Sequence, residues 1–111
     1  MSKYGNKRIE FEGIRFDSIA EYRRYADLKL AEQAGEITDL QVHPRYLLQE
    51  AFTTPDGGHE AKITYEGDFQ YTERGKIVVE DVKGCRTEVY KIKRKLFLAR
   101  YPEIKFMEVK A

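Results

Sequence analysis

The sequence predicts a single-domain α/β fold in which a mixed central sheet is flanked by two helices, with a small hairpin at the amino end. Its 111 residues suffice for one hydrophobic core and are too few for two. Two segments with helical periodicity, residues 19–34 and 88–101, are separated by several segments of β-like alternation. A last β-like segment, residues 104–109, follows the second helix. This order of helix, strands, helix and strand is typical of α/β proteins.

The amino-terminal end is predicted to hold an arm and a hairpin. Residues 1–7 are expected to form a short flexible arm, and residues 8–111 the domain. Apolar and polar residues alternate on both sides of Glu12-Gly13, which is typical of two short strands joined by a tight turn.

Both helices carry recognisable ends. Ser18 is a favourable N-cap for the first helix, and Glu21 completes a capping box in which its carboxylate would bond the Ser18 backbone. Gly35 should end this helix, while Thr87 should cap the second and Pro102 should end it. The residues predicted to face the core are Ile19, Tyr22, Ala26 and Leu30 in the first helix and Val89, Ile92, Leu96 and Ala99 in the second.

The middle of the chain is predicted to consist mostly of strands. Pro44 should divide residues 36–50 into two strands, because proline cannot donate a hydrogen bond within a ladder. Pro55-Asp56-Gly57-Gly58 indicates a loop over residues 51–59. The remaining elements are a long strand over residues 61–71, a turn at residues 73–75 and a strand over residues 76–83.

The end of the strand over residues 76–83 carries the candidate chemistry. Side chains alternate between the two faces of a strand. The predicted faces are Val79, Asp81 and Lys83 on one side and Val78, Glu80 and Val82 on the other. This pattern brings a carboxylate within about 7 Å of an ammonium group. If the strand were shifted by one residue, Glu80 would face the site in place of Asp81.

Two further carboxylates could join this pair. Asp68 lies in the preceding strand, and Glu21 in the first helix could point at the same edge of the sheet. Three carboxylates and a lysine can hold a hard divalent cation and act on a phosphodiester. The alternatives are a purely capping role for Glu21 and a solvated Asp81–Lys83 ion pair at a strand end.

Charges are unevenly distributed along the chain, although the net charge is only +1. Residues 50–81 contain eight acidic and three basic residues, whereas residues 83–105 contain eight basic and two acidic residues. An acidic centre beside a basic flank suits a cation site next to a surface that binds phosphates. The residues predicted to contact nucleic acid are Arg86, Lys91, Lys93, Arg94 and Lys95. The alternative is a solvated helix face.

Other chemistries find little support in the sequence. His43, His59 and Cys85 cannot build a tetrahedral zinc site without carboxylate help, and Gly57-Gly58 lacks the lysine and helix of a phosphate-binding loop. No apolar run approaches the roughly 20 residues that span a bilayer. No signal peptide is expected, because no apolar stretch follows the charged amino terminus. A single cysteine excludes an internal disulfide and favours a reducing cytoplasm.

Four pieces of the chain together resemble a known superfamily. They are residues 16–21 (Phe-Asp-Ser-Ile-Ala-Glu), 67–69 (Gly-Asp-Phe), 79–84 (Val-Glu-Asp-Val-Lys-Gly) and 87–91 (Thr-Glu-Val-Tyr-Lys). A helix glutamate, a strand aspartate and an acidic-x-lysine tripeptide occur in this order in the PD-(D/E)XK nucleases, which the chain resembles over residues 8–109. More narrowly, it is similar to a small phage and prophage family of unassigned function within that superfamily. Gly67 stands where the superfamily name has a proline.

This resemblance implies a restriction-endonuclease-like αβββαβ core and a DNA endonuclease that depends on Mg²⁺ or Mn²⁺. The implied ligands are Asp68, Asp81, the carbonyl of Val82 and Glu21, the last directly or through water. Lys83 would orient the attacking water or stabilise the transition state. The resemblance also implies branched or recombination-intermediate DNA as a candidate substrate and the cytoplasm of a bacterial host. A homodimer is expected because one site per chain could not cut both strands. The alternative is a catalytically inert module of the same fold that binds DNA or protein.

Overall fold

The computed structural model describes residues 8–111, so the arm expected over residues 1–7 lies outside the described residues. Residues 8–111 form ten strands and two helices. In chain order these are β1 Ile9–Phe11, β2 Ile14–Phe16, α1 Ile19–Gln33, β3 Thr38–Val42, β4 Arg45–Gln49, β5 Phe52–Thr53, β6 His59–Glu60, β7 Ile63–Glu66, β8 Phe69–Glu73, β9 Lys76–Lys83, α2 Glu88–Arg100 and β10 Lys105–Lys110.

A four-stranded mixed sheet forms the centre of the fold. Its strand order is β10-β9-β8-β3, with β10 parallel to β9 and the other neighbours antiparallel. One core cluster joins this sheet to α1 through Tyr25, Leu28 and Val78. A second cluster joins it to α2 through Val79 and Phe97. The predicted α/β domain, with a mixed sheet and two helices, is therefore confirmed.

Strand β9 has the predicted alternation of faces. Val78 packs in the α1 cluster and Val79 in the α2 cluster, so consecutive side chains point to opposite sides. Glu80 follows Val78 toward α1, where Arg24 binds it at 2.7 Å. Asp81 points the other way and accepts a hydrogen bond from Tyr65. The shifted alternative, in which Glu80 would replace Asp81, is therefore wrong.

The ends of α1 follow local sequence signals, with one difference. Ser18 accepts a hydrogen bond from the Glu21 backbone amide at 3.1 Å, and Gly35 adopts a φ of +77°, which favours glycine after a helix. The Glu21 carboxylate, however, accepts from the Asp17 amide at 3.2 Å and not from the Ser18 amide that a capping box predicts. Its second oxygen binds His43, and this contact directs the side chain away from the Ser18 backbone.

The predicted core stripes of the helices are wrong at most of their positions. In α1, Ile19 and Leu30 are exposed, whereas Tyr25 and Leu28 are buried. In α2, all four predicted residues are exposed and the helix buries other side chains; the exposed residues are Val89, Ile92, Leu96 and Ala99, and the buried ones are Tyr90 and Phe97. The α2 sequence contains two stripes at helical spacing, and the aromatic stripe buries more apolar area against the sheet.

The strand predicted over residues 61–71 is two strands in different sheets. Strand β7 pairs with β4, whereas β8 pairs with β3 and β9. The break falls at Gly67, whose amide donates to the Pro44 carbonyl at 2.9 Å. A Cβ here would lie 3.1 Å from Val79 Cγ1, so a larger residue would crowd the Val79 side chain, and proline would lose this hydrogen bond.

The remaining predicted elements agree with the structure, apart from one loop. The β1–β2 hairpin, the break between β3 and β4 at His43-Pro44, and strand β10 occur as predicted. Arg74 and Gly75 take φ values of +51° and +78° and form the tight turn before β9. The predicted loop over residues 51–59 instead contains the two-residue ladder between β5 and β6.

Candidate active site

A cleft of about 510 Å³ lies where β9 ends and both helices begin. Ser18 and Thr87, the N-caps of α1 and α2, line it from two sides. The residues of predicted function that line it are Glu21, Asp68, Val82 and Lys83. Residues far apart in the chain therefore meet at one end of the sheet.

Asp68 lies in the connection between β7 and β8, and three hydrogen bonds to backbone groups of other residues hold it there. Its amide donates to the Glu80 carbonyl at 3.0 Å, and its carbonyl accepts from the His43 amide at 2.9 Å. Its carboxylate accepts from the Val82 amide at 2.6 Å. Burial, followed by the nearby charges of Asp81 and Glu21, raises the pKa of the Asp68 carboxyl to about 8.

Glu21 and His43 form a second polar pair beside Asp68. His43 Nε2 lies 2.7 Å from Glu21 Oε1, and the Glu21 side chain is almost fully buried. Burial raises the pKa of the Glu21 carboxyl, against the opposing effect of the His43 hydrogen bond. One ligand atom from each of Glu21, His43 and Asp68 lies within 4.8 Å of the other two, so these three residues could hold a metal ion.

His43 is the site residue that sequence reasoning missed as part of this cluster. It adopts a φ of +56°, which is uncommon for a residue other than glycine. Its position before Pro44, at a break between strands, was the available signal, because strained backbone concentrates at functional sites. The ring reaches Glu21 only because β3 returns the chain to the start of α1.

Asp81 and Lys83 form the third part of the site. Lys83 Nζ lies 2.9 Å from Asp81 Oδ1 and 4.3 Å from the centre of the Tyr90 ring. Tyr65 donates to the other oxygen of Asp81. Asp81 is 2% exposed, and the contact of its Oδ1 with Lys83 Nζ is an ion pair without the geometry of a hydrogen bond. The predicted Asp81–Lys83 ion pair is therefore present, and it is half-buried rather than solvated.

The four acidic and basic residues predicted for the site thus lie near one another, in two layers. Glu21, Asp68 and Lys83 line the cleft. Asp81 lies behind them, outside the Glu21–His43–Asp68 group, yet close enough to raise the pKa of Asp68.

The five residues predicted to contact nucleic acid differ in their surroundings. Arg86 lies between the cleft-lining Cys85 and Thr87 and is 3.4 Å from Glu108. Lys91 is exposed and 3.3 Å from Glu88, and Lys95 is also exposed. Lys93 and Arg94 are half-buried, and the Arg94 guanidinium packs over Phe106 at 5.6 Å. The five therefore do not form one solvated cationic face.

The chain belongs to the family described as "Protein of unknown function (DUF1064)", whose family model matches residues 1–111. Comparison with curated proteins and with solved structures finds no match. Across the described part of the chain, neither helix has the length and apolar character needed to cross a membrane.

The raised pKa of Asp68 predicts an unusual pH dependence of stability. Because the folded state holds this proton more tightly than the unfolded state, whose pKa is near 3.8, the free energy of unfolding should fall as pH rises toward and through 8. Asp68→Asn keeps an oxygen for the Val82 amide and removes the titration. The measurement is the Tm of this variant minus the Tm of the wild type. We expect this difference to grow by at least about 5 °C as the pH rises from 6 to 9, given about 4–8 °C per kcal/mol. A constant difference across this range would contradict the assignment.

Proposed function

We propose that this protein is a metal-dependent DNA endonuclease with a restriction-endonuclease-like core. The observation that carries the proposal is the cleft in which Glu21 and Asp68 converge with Lys83, backed by buried Asp81. Burial, followed by the charges of Asp81 and Glu21, raises the pKa of Asp68, and a bound cation would favour the ionised carboxylates. Perturbed carboxyls in a cleft are typical of functional sites.

The residues of the site fit a divalent cation. Carboxylate oxygens from Glu21 and Asp68 are ligands that Mg²⁺ and Mn²⁺ prefer, and Asp81 Oδ1, which is ion-paired with Lys83, is a further oxygen nearby. The imidazole of His43 adds a nitrogen, which suits Mn²⁺ better than Mg²⁺. When bound, such a cation supplies Lewis-acid activation of a phosphodiester and of water.

Lys83 has the surroundings of a fixed positive charge. The ammonium group lies 2.9 Å from the Asp81 carboxylate and 4.3 Å from the centre of the Tyr90 ring. At the wall of the cleft, this cation can stabilise negative charge that builds on the phosphate oxygens during cleavage. We assign this role to Lys83.

Arg86 is the best placed of the predicted DNA contacts. Its neighbours in sequence, Cys85 and Thr87, line the cleft, and its partly exposed ion pair with Glu108 costs little to exchange for a phosphate. A single site in each chain would cleave one strand. Cleavage of both strands of a duplex or junction would therefore require a homodimer.

The test is cleavage of plasmid and branched-junction DNA with Mg²⁺, with Mn²⁺ and with chelator. We expect nicking or cutting that needs the cation and is lost in Asp68→Ala and Asp81→Ala. DNA binding that is unchanged by chelator, with no cleavage in any metal, would instead identify an inert module of this fold.

His43 should set the metal preference. We expect His43→Ala to weaken Mn²⁺ binding by about 10–100-fold and Mg²⁺ binding much less, because imidazole favours transition metals. Isothermal titration with each cation measures this difference. His59→Ala is the matched control, since His59 is exposed on β6 and outside the cleft. Equal losses for both cations would show that His43 only positions Glu21.

A further inference from the structure

Helix α2 presents an apolar stripe to solvent. Val89, Ile92 and Leu96, here called the α2 stripe, recur at helical spacing and are 63%, 60% and 41% exposed. Tyr90 and Phe97 already fill the side of the helix that packs on the sheet, so the stripe adds nothing to the core. A contiguous exposed apolar surface of this kind is typical of a contact site.

Cationic side chains border the α2 stripe on both flanks. At about 100° per residue, Lys91 and Lys95 fall on one flank and Lys93 and Arg100 on the other. Within Glu88–Arg100 the basic residues number five and the acidic residues one. An occupant of this face must therefore offer apolar groups in the middle and negative charge at the edges.

We propose that the α2 stripe docks an acidic amphipathic helix of a partner protein. Such a helix inserts apolar side chains at positions i, i+3 and i+7 between the same residues of α2, and its flanking Asp or Glu side chains meet the lysines. This inference goes beyond cleavage and does not depend on it.

Three other occupants fit less well. A second copy would pair the two α2 helices about a two-fold axis, which sets lysine flanks against lysine flanks. DNA would engage the lysines and leave the stripe unburied. An anionic bilayer could meet both, but the stripe offers fewer side-chain carbons than one myristoyl chain, which itself binds membranes only marginally.

The position of α2 determines where such a partner would lie relative to the cleft. The N-cap of the helix, Thr87, lines the cleft, whereas none of the three α2 stripe residues does. A partner bound along α2 therefore lies beside the site without covering Glu21 or Asp68. This arrangement suits a protein that recruits the domain to its substrate.

The test uses fluorescently labelled helical peptides with the full chain. One peptide carries leucines at i, i+3 and i+7 flanked by glutamates; its counterpart carries lysines in place of the glutamates. We expect the acidic peptide to bind at least about tenfold more tightly, and Ile92→Asp to weaken that binding by about tenfold or more. Leu30→Asp, at a 65% exposed position of α1, is the matched control and should bind as the wild type does.

Charge reversal and two parallel measurements complete the test. Lys91→Glu combined with Lys95→Glu should lower the preference for the acidic peptide, which a purely apolar contact would not do. Equal binding of both peptides, or of neither, would overturn the proposal. Self-association in sedimentation that Ile92→Asp abolishes would assign the stripe to a second copy. Ile92-dependent binding to phosphatidylglycerol vesicles, in preference to the peptide, would assign it to a membrane.

Discussion

Lys83→Met should lower the rate of DNA cleavage by about 10²–10³-fold while leaving DNA affinity within about threefold of the wild type. The methionine keeps an apolar stem of similar length and removes the ammonium group, which lies beside Asp81 and over the Tyr90 ring. Because the proposed role of that charge is to stabilise phosphate oxygens in the transition state, its loss should appear in the single-turnover rate and not in binding. Quenched-flow or gel assays with saturating protein measure the first, and fluorescence anisotropy of labelled DNA measures the second.

The control for this variant lies on the same strand. Lys76 begins β9 at the end opposite the cleft and is exposed, so Lys76→Met should cleave at the wild-type rate. Thermal unfolding separates chemistry from folding, since Lys83→Met also leaves buried Asp81 with Tyr65 alone. A Lys83→Met protein that is folded, binds DNA and cleaves normally would remove Lys83 from the mechanism. A variant that loses affinity and rate equally would make it a DNA contact.

The parts of the site that could be predicted are those that depend on short-range order. The two-residue period of a strand places Asp81 and Lys83 on one face, and burial of Val78 and Val79 on opposite sides fixes that register. Ser18, Gly35 and Thr87 act within one helical turn, so the helix bounds could also be predicted. Such signals are local and do not depend on how the rest of the chain packs.

Features that depend on which elements meet were not predictable in this way. His43 joins the site because β3 delivers it to Glu21, across 22 positions of sequence. The break at Gly67 exists because β7 and β8 have different partners, and each half of residues 61–71 is a reasonable strand by itself. The sequence of α2 allows two buried stripes, and only the sheet surface decides between them.

The role of Glu80 also required the structure. Beside Asp81 in sequence, it is fully buried and faces α1, where Arg24 holds both of its oxygens at 2.7 Å and Tyr71 donates to one of them. The neighbouring acidic residues therefore have different partners: Asp81 pairs with the cleft-lining Lys83, and Glu80 pairs with Arg24 of α1. Alternation along β9 therefore places two adjacent carboxylates on opposite faces of the strand.

Arg24→Met should lower the free energy of unfolding by about 3 kcal/mol, near the lower end of the range for breaking a buried ion pair. The variant leaves the Glu80 carboxylate fully buried with only Tyr71 as a partner, and the partial exposure of Arg24 limits the loss. Urea unfolding measured at constant pH gives the difference. Arg45→Met is the matched control: its pair with Glu66 is exposed on both sides, so it should cost less than about 1 kcal/mol.

The double variant Arg24→Met, Glu80→Gln distinguishes the buried charge from lost packing. Glutamine is neutral and can still accept from the Tyr71 hydroxyl, so we expect it to recover more than half of the stability that Arg24→Met loses. If the loss arose from the arginine stem packing on the sheet, Glu80→Gln would recover nothing. A second contradicting outcome would be an Arg24→Met variant that costs no more than Arg45→Met. Either outcome would show that the Glu80 pair does not hold α1 on the sheet.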